Sequence, residues 1–349
     1  MSEVGAAGRL SRQDALRVLS GEEDILELIQ SAYVLRRQYF GRQVTVHILN
    51  NVQNGLCPED CRYCAQSASS SAAIETYHMK SDAEIMEEAR AAAENGAWRY
   101  CMVFSGPGPS DERVEHVCRL VRDIKAQYKI EVCVSPGVVT PEQAARLKAA
   151  GLDRLNHNLN TSQSHYGRIC TTHSFQDRLL TLRAAKSVGL RVCSGVIIGM
   201  GEGREDVVEM AMWLRDLGAD SIPVNFFMPL PGVALKEAVG LTPEYCLRVL
   251  CLFRFLNPQA EIRMAAGREM HLRSLEPLGL YVANSLFLQG YLNARGTSDL
   301  RTLRMLADAG FTIKSEVGLE ELLGRARDNG ASEGLKGLEE LRPFCANQE

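Results

Sequence analysis

Between Asn54 and Ala68 the chain reads NGLCPEDCRYCAQSA, which sets Cys57, Cys61 and Cys64 at the spacing C-x3-C-x2-C with no fourth cysteine beside them. Soft thiolates select zinc, copper(I) or iron-sulfur clusters. A structural zinc site wants four ligands, and the nearby candidates, His47 and His78, stand at no zinc-finger spacing. A 4Fe-4S cube normally takes four thiolates, so three leave one iron with an open position where a substrate or cofactor can bind.

A second set of cysteines falls inside β-rich runs: Cys101 in RYCMVFS, Cys133 in EVCVS and Cys193 in RVCSGVIIG. Taken singly, each reads as a small buried hydrophobe. Strand side chains alternate faces, however, so Arg99, Cys101, Val103 and Ser105 share one face while Tyr100, Met102 and Phe104 share the other. Cys133 and Ser135 oppose Val132 and Val134 in the same way. The larger apolar residues suit a helix-packing side, which turns the cysteines inward. LNHNLN adds Asn156, Asn158 and Asn160 on one face, with Leu155, His157 and Leu159 on the other. Asn225, Arg263 and Ser285 come from later runs. An interior lined by Cys, Asn, Arg and Ser is a polar cavity whose groups need a ligand.

The elements that must position these residues are eight β-like runs: 44–49, 99–105, 131–136, 154–159, 191–198, 221–227, 261–266 and 283–286. Helical stretches alternate with them at 82–94, 141–149, 176–187 and 205–217, and Gly96, Gly151, Gly189 and Gly218 close them. Alternation of this kind predicts parallel β/α units, closing most simply as a (β/α)8 TIM-type barrel, with a doubly wound open sheet as the competitor. Residues 1–43 read as an N-terminal helical extension, with a Ser20/Glu23 capping box and a stop at Gly41. The barrel is expected over 44–315. The tail, 316–349, repeats GLEEL at Gly318 and Gly337 and reads as an exposed helical or frayed end. Ser67 to Ala73, SASSSAA, reads as a small polar loop.

Composition narrows the function class. An apolar fraction of 46% supports a packed core, and a net charge of −4 with scattered basic residues leaves no footprint for nucleic acid. The most apolar stretch, LRVLCLFRFL, is interrupted by Arg248 and Arg254 and is too short to span a bilayer. The polar start has no signal-peptide core, so a cytoplasmic protein without membrane association is expected. Eleven cysteines then point to metal or redox work rather than disulfides.

The C-x3-C-x2-C triple after the first strand resembles the defining motif of the radical S-adenosylmethionine superfamily. That resemblance implies a 4Fe-4S cluster on Cys57, Cys61 and Cys64. Its open iron binds S-adenosyl-L-methionine, which one electron cleaves to a hydrogen-abstracting 5′-deoxyadenosyl radical. CPEDCRYCAQS, RYCM, NHNLNTS, VCSGVIIGMGE, IPVNF, IRMAAGRE and ANSLF, in that order, are similar to a sulfurtransferase family within the superfamily that converts dethiobiotin to biotin. The family implies a second cluster, 2Fe-2S, on Cys101, Cys133, Cys193 and Arg263, consumed as the sulfur source and rebuilt afterwards. Asn158 and Asn225 are then expected to face dethiobiotin. Asn160, where many members carry aspartate, Ser105 and Gly199 are expected on the cofactor side.

A guanidinium is always protonated and a poor ligand, so pairing of Arg263 with a carboxylate or with cluster sulfides stands as the alternative. Where the family usually runs glycine, threonine, proline, leucine, this chain has Gly232 to Leu235, read as loop drift. Cys118, Cys170, Cys246, Cys251 and Cys345 match no ligand position of the family. The same resemblance implies a flavodoxin or ferredoxin as electron donor, iron-sulfur assembly proteins as partners, and a homodimer. Two rivals remain at this point: a maturase or mutase type of radical enzyme with structural inner cysteines, and a metal carrier or redox sensor without catalysis.

Overall fold

The computed structural model describes residues 10–294 and 296–328. The second GLEEL segment and Cys345 lie outside the described residues. Parallel strands form the centre: β1 (Gln43–Asn51), β2 (Arg99–Val103), β3 (Glu131–Ser135), β4 (Arg154–Asn156), β5 (Arg191–Cys193), β6 (Val196–Ile198), β7 (Ser221–Phe226), β8 (Glu261–Met264) and β9 (Ser285–Phe287). β9 pairs back onto β1, Thr45 opposite Ser285, which closes the barrel and excludes the open sheet. Helices between the strands pack their apolar faces against the outward-pointing Tyr100, Met102, Val132 and Val134.

The structure departs from the sequence expectation at three places. The fifth run is broken into β5 and β6 at Ser194–Gly195, opposite Pro223 of β7. Proline has no N–H to offer the ladder, and a side chain at Gly195 would meet the Pro223 carbonyl oxygen at 2.2 Å. The Ser20/Glu23 capping box does not form. Ser20 instead donates to the Arg17 carbonyl at the end of helix Arg12–Ser20, and Asp24 caps the next helix, Ile25–Phe40, by accepting from the Leu26 and Glu27 amides. A short strand, β10 (Thr312–Ile313), pairs with the first two residues of β1.

Helix Leu319–Asp328, which carries the first GLEEL, is docked rather than exposed: Leu322 and Leu323 are buried, and Leu322 reaches Gly96.

The LRVLCLFRFL stretch lies in helix Pro243–Leu256, which is buried on nearly every side, between the barrel and the two N-terminal helices. A helix apolar all round must be covered in this way. Its two arginines are satisfied by hydrogen bonds. Arg248 donates to the Val18 and Glu23 carbonyls and to Glu244; Arg254 donates to the Val282 and Ala260 carbonyls and to Asn284. Cys118, Cys246 and Cys251 are buried in helices, as expected of small hydrophobes. No helix among the described residues is long and apolar enough to cross a membrane.

Candidate functional site

The inner cysteines are brought together by register. Cys101 on β2 stands opposite Cys133 on β3, and Cys193 on β5 stands opposite Asn156 on β4. Parallel partners point to the same side of a sheet, so all three thiols face the barrel axis, where they form a buried cluster with Leu49 against it. Cys133 hydrogen-bonds with both neighbours, which raises its own thiol pKa and lowers those of Cys101 and Cys193. Asn156 donates to Cys193 Sγ at 3.3 Å. Arg263 Nη1 stands 3.9 Å from the same sulfur, with its guanidinium over the Phe287 ring.

Beneath the thiols the barrel is filled by charge rather than by branched apolar side chains. Arg99 donates to Glu131 and Glu261, its Nη2 lying 2.6 and 3.1 Å from them. Arg263 pairs with Glu261 and also donates to Ser285 at 2.9 Å and Ser221 at 3.0 Å. Arg154 approaches both carboxylates at 3.7 Å. Burial alone would raise the Glu261 carboxyl, but Arg99, His47 and Arg263 hold it well below the carboxylate range. Burial, and then repulsion from Arg263, push the His47 imidazole well below its usual value. Three buried guanidiniums therefore face two carboxylates. The surplus positive charge lies directly under the thiols, where it favours anionic sulfur.

Cys57, Cys61 and Cys64 sit on the loop after β1, and all three line an outer cavity with Ser105 and His173. Serine and backbone contacts shape that loop: Ser67 donates to the Glu59 carbonyl, Ser71 N–H to the Gly232 carbonyl, and Leu235 N–H to the Arg62 carbonyl. SASSSAA and the Gly232–Leu235 run thus pack against each other. Gly232 has φ +93°, and a side chain there would meet the Ala72 backbone at 2.3 Å. Every described cysteine is a free thiol. Three such thiols on one cavity wall are the donor set a cluster with one open iron needs. The inner three thiols with Arg263 likewise make a set of four.

Tyr63, Cys64, His157 and Arg178 line both the outer cavity and the inner one above the strand cysteines. Asn158, Asn160 and Asn225 line the inner cavity. Asn158 Oδ1 accepts from the Gly195 amide at 2.9 Å, and Asn160, at φ +68°, donates to Tyr63. Asn225 spends one donor on the Val196 carbonyl and its acceptor on the Ala266 amide. Ser105 donates to the Gly55 carbonyl at 2.6 Å. Gly199 lines neither cavity; its amide instead donates to the Glu202 carboxylate.

His157 was expected on the face away from the asparagines, yet it lines both cavities. β4 ends at Asn156, so strict alternation stops before it.

Sequence reasoning missed Arg178, whose partly buried guanidinium donates to Tyr166 and the Asn158 carbonyl beside both cavities. It occupies an ordinary polar position of helix Phe175–Ser187, and no spacing marks it. Cys170 was also unassigned. It lies 3.7 Å from Cys61, sulfur to sulfur, and the Cys61 hydrogen bond is the first cause pushing its thiol down to about 4.

Comparison with known proteins agrees with this geometry. Residues 53–214 match the Radical SAM superfamily model, and residues 223–312 match the Biotin and Thiamin Synthesis associated domain. The chain is 54% identical to biotin synthase of Magnetococcus marinus over 90% of its own length and 98% of the relative's. It is 53% identical to biotin synthase of Acaryochloris marina over 87% and 88%. Two solved structures share the fold. The hydrogenase maturase HydG from Carboxydothermus hydrogenoformans has a TM-score of 0.77 at 18% identity, covering 89% of this chain and 77% of that one. Methylornithine synthase has a TM-score of 0.70 at 19% identity, covering 93% and 94%. On this similarity along almost its whole length, the chain belongs to the biotin synthase family.

Proposed function

We propose that this chain is a sulfurtransferase that converts dethiobiotin to biotin, with 44–315 as the catalytic barrel and 1–43 and 316–349 as flanking extension and tail. One observation carries the reading: three strand thiols and a carboxylate-held arginine form the floor of a cavity whose wall is shared with a second, loop-borne trio of thiols.

Cys57, Cys61 and Cys64 would hold a 4Fe-4S cluster and leave one iron for S-adenosyl-L-methionine. Cys101, Cys133, Cys193 and Arg263 would hold a 2Fe-2S cluster. When bound, the first supplies the electron that cleaves the cofactor to a hydrogen-abstracting radical, and the second supplies the sulfur.

The chain's own residues do the rest. Glu261 fixes Arg263 through an ion pair, so the guanidinium is turned toward Cys193 by its neighbours rather than by the metal. Asn156 steadies the Cys193 sulfur. Asn158 and Asn225, with their remaining amide donors, suit a cyclic urea, which offers both donors and an acceptor. Asn160, hydrogen-bonded to Tyr63, and Ser105 and Arg178, which line the outer cavity, would meet the cofactor's polar groups, while Gly199 lines neither cavity. The buried floor excludes water, which protects a carbon radical from quenching. A flavodoxin or ferredoxin donor, iron-sulfur assembly partners, a homodimer and a cytoplasmic setting belong to the same reading.

The test is anaerobic iron and acid-labile sulfide per chain, with Mössbauer spectroscopy, on the wild type and on a Cys101/Cys133/Cys193 triple alanine variant. A 4Fe-4S plus a 2Fe-2S in the wild type, with only the 2Fe-2S lost in the variant, is expected. A single 4Fe-4S in both would remove sulfur insertion from the inner cysteines.

A further inference from the structure

A strap after β9 sets Tyr291, Leu292, Asn293 and Ala294 in the wall of the inner chamber. The strap is pinned. Tyr291 and Ala294 exchange backbone hydrogen bonds at 2.9 and 2.8 Å, and the side-chain amides of Asn293 and Asn54 bond reciprocally at 2.9 and 3.0 Å. The Tyr291 ring packs on Phe287 with centroids 5.5 Å apart, and Phe287 in turn carries the Arg263 guanidinium on its face. Burial, and then the Cys193 and Cys64 sulfurs, push the phenol up, in keeping with a ring set near both thiol trios. Yet among the described residues no group hydrogen-bonds the Tyr291 hydroxyl. A phenol held inside a protein usually has a partner.

The two asparagines across the chamber show what that partner is. Asn158 follows β4, half the ring of strands away from β9. Its oxygen already accepts from the Gly195 amide, and the Asn225 oxygen from the Ala266 amide. What the pair keeps free are amide N–H donors. Donors satisfy the oxygen of a cyclic urea and leave its two N–H groups without an acceptor.

We propose that the Tyr291 hydroxyl oxygen accepts a hydrogen bond from a urea N–H of the substrate, so that the ring is held from two walls. The assignment rests on the dethiobiotin reading above and adds a specificity residue to it. A ring held only through its oxygen can pivot about that oxygen; a second contact removes the pivot and fixes which carbon faces the radical.

The experiment measures dethiobiotin binding by anaerobic titration calorimetry on the cluster-loaded, unreduced full chain with S-adenosyl-L-methionine present. Tyr291→Phe keeps the ring on Phe287 and removes no bond within the chain, so its urea midpoint should match the wild type. Its Kd for dethiobiotin should weaken about tenfold. On reduction, it should release more 5′-deoxyadenosine per biotin formed, because a pivoting ring presents the wrong hydrogen. Dethiobiotinol, in which the substrate carboxylate is replaced by a hydroxymethyl group, should show the same tenfold ratio between the two proteins. Equal Kd values for dethiobiotin in both proteins would overturn the proposal. So would a ratio that collapses to one with dethiobiotinol, since Tyr291 would then read the carboxylate. A wild type that binds no dethiobiotin would instead strike the proposed function, and this assignment with it.

Discussion

The two thiol trios are held by opposite means. The inner three sit on strands, in register, above a layer of buried ion pairs; the outer three sit on a loop whose shape depends on a serine-rich segment and on a backbone that passes Gly232. A strand fixes a side chain through its pairing partners on both sides, whereas a loop fixes it only through whatever happens to pack against it. The inner set is therefore rigid and sealed, and the outer set is partly exposed and opens toward solvent. The roles proposed for them, a floor that gives up an atom and a loop that admits a cofactor, differ in the same sense.

The comparison can be broken from either side. Cys57→Ala should cost both readouts, 5′-deoxyadenosine release and biotin yield, by about a hundredfold or more, since it removes a proposed ligand of the first cluster. Retained release would detach the loop from the radical step. Cys133→Ala should abolish biotin yield while leaving 5′-deoxyadenosine release in place; unchanged yield would cancel the sulfur-donor role of the floor. Glu261→Gln leaves Arg99 and Arg263 without their shared carboxylate. Urea unfolding of the variant is expected to show a loss of about 3 kcal/mol, and a loss under 1 kcal/mol would mean the charge layer is not what stiffens the floor. Gly232→Ala puts a methyl group against Ala72 at positive φ and should cost about 1–3 kcal/mol. Iron analysis should show the 4Fe-4S content falling in that variant and the 2Fe-2S content holding; equal loss of both would merge the two regions into one unit.

This division also explains what could be read from the sequence. Alternation within β2 and β3 is strict, so the inward turn of Cys101 and Cys133 was legible, and the strand count gave the barrel. Parity failed at His157, because β4 stops one residue earlier and hands over to irregular backbone. The break between β5 and β6 was hidden because its cause, Pro223, lies on another strand. Arg178, Cys170 and the packing of SASSSAA against Gly232 were invisible for the same reason: each depends on a contact between segments that sequence spacing does not relate. The charge layer was half visible. Arg99 and Arg263 had inward parity, but nothing local says that Glu261 would be shared between them.

The closure of β9 on β1 has a kinetic consequence. Thr45 donates to the Asn284 carbonyl across 239 residues, and loop-closure entropy makes contacts that distant the late ones to form. β1 carries Leu49, and β8 carries Arg263, to the same floor as the three strand thiols. Until the first and last strands meet, that floor is an open groove reachable from the side. Barrel closure is then the event that turns a solvent-washed row of thiols into a walled chamber.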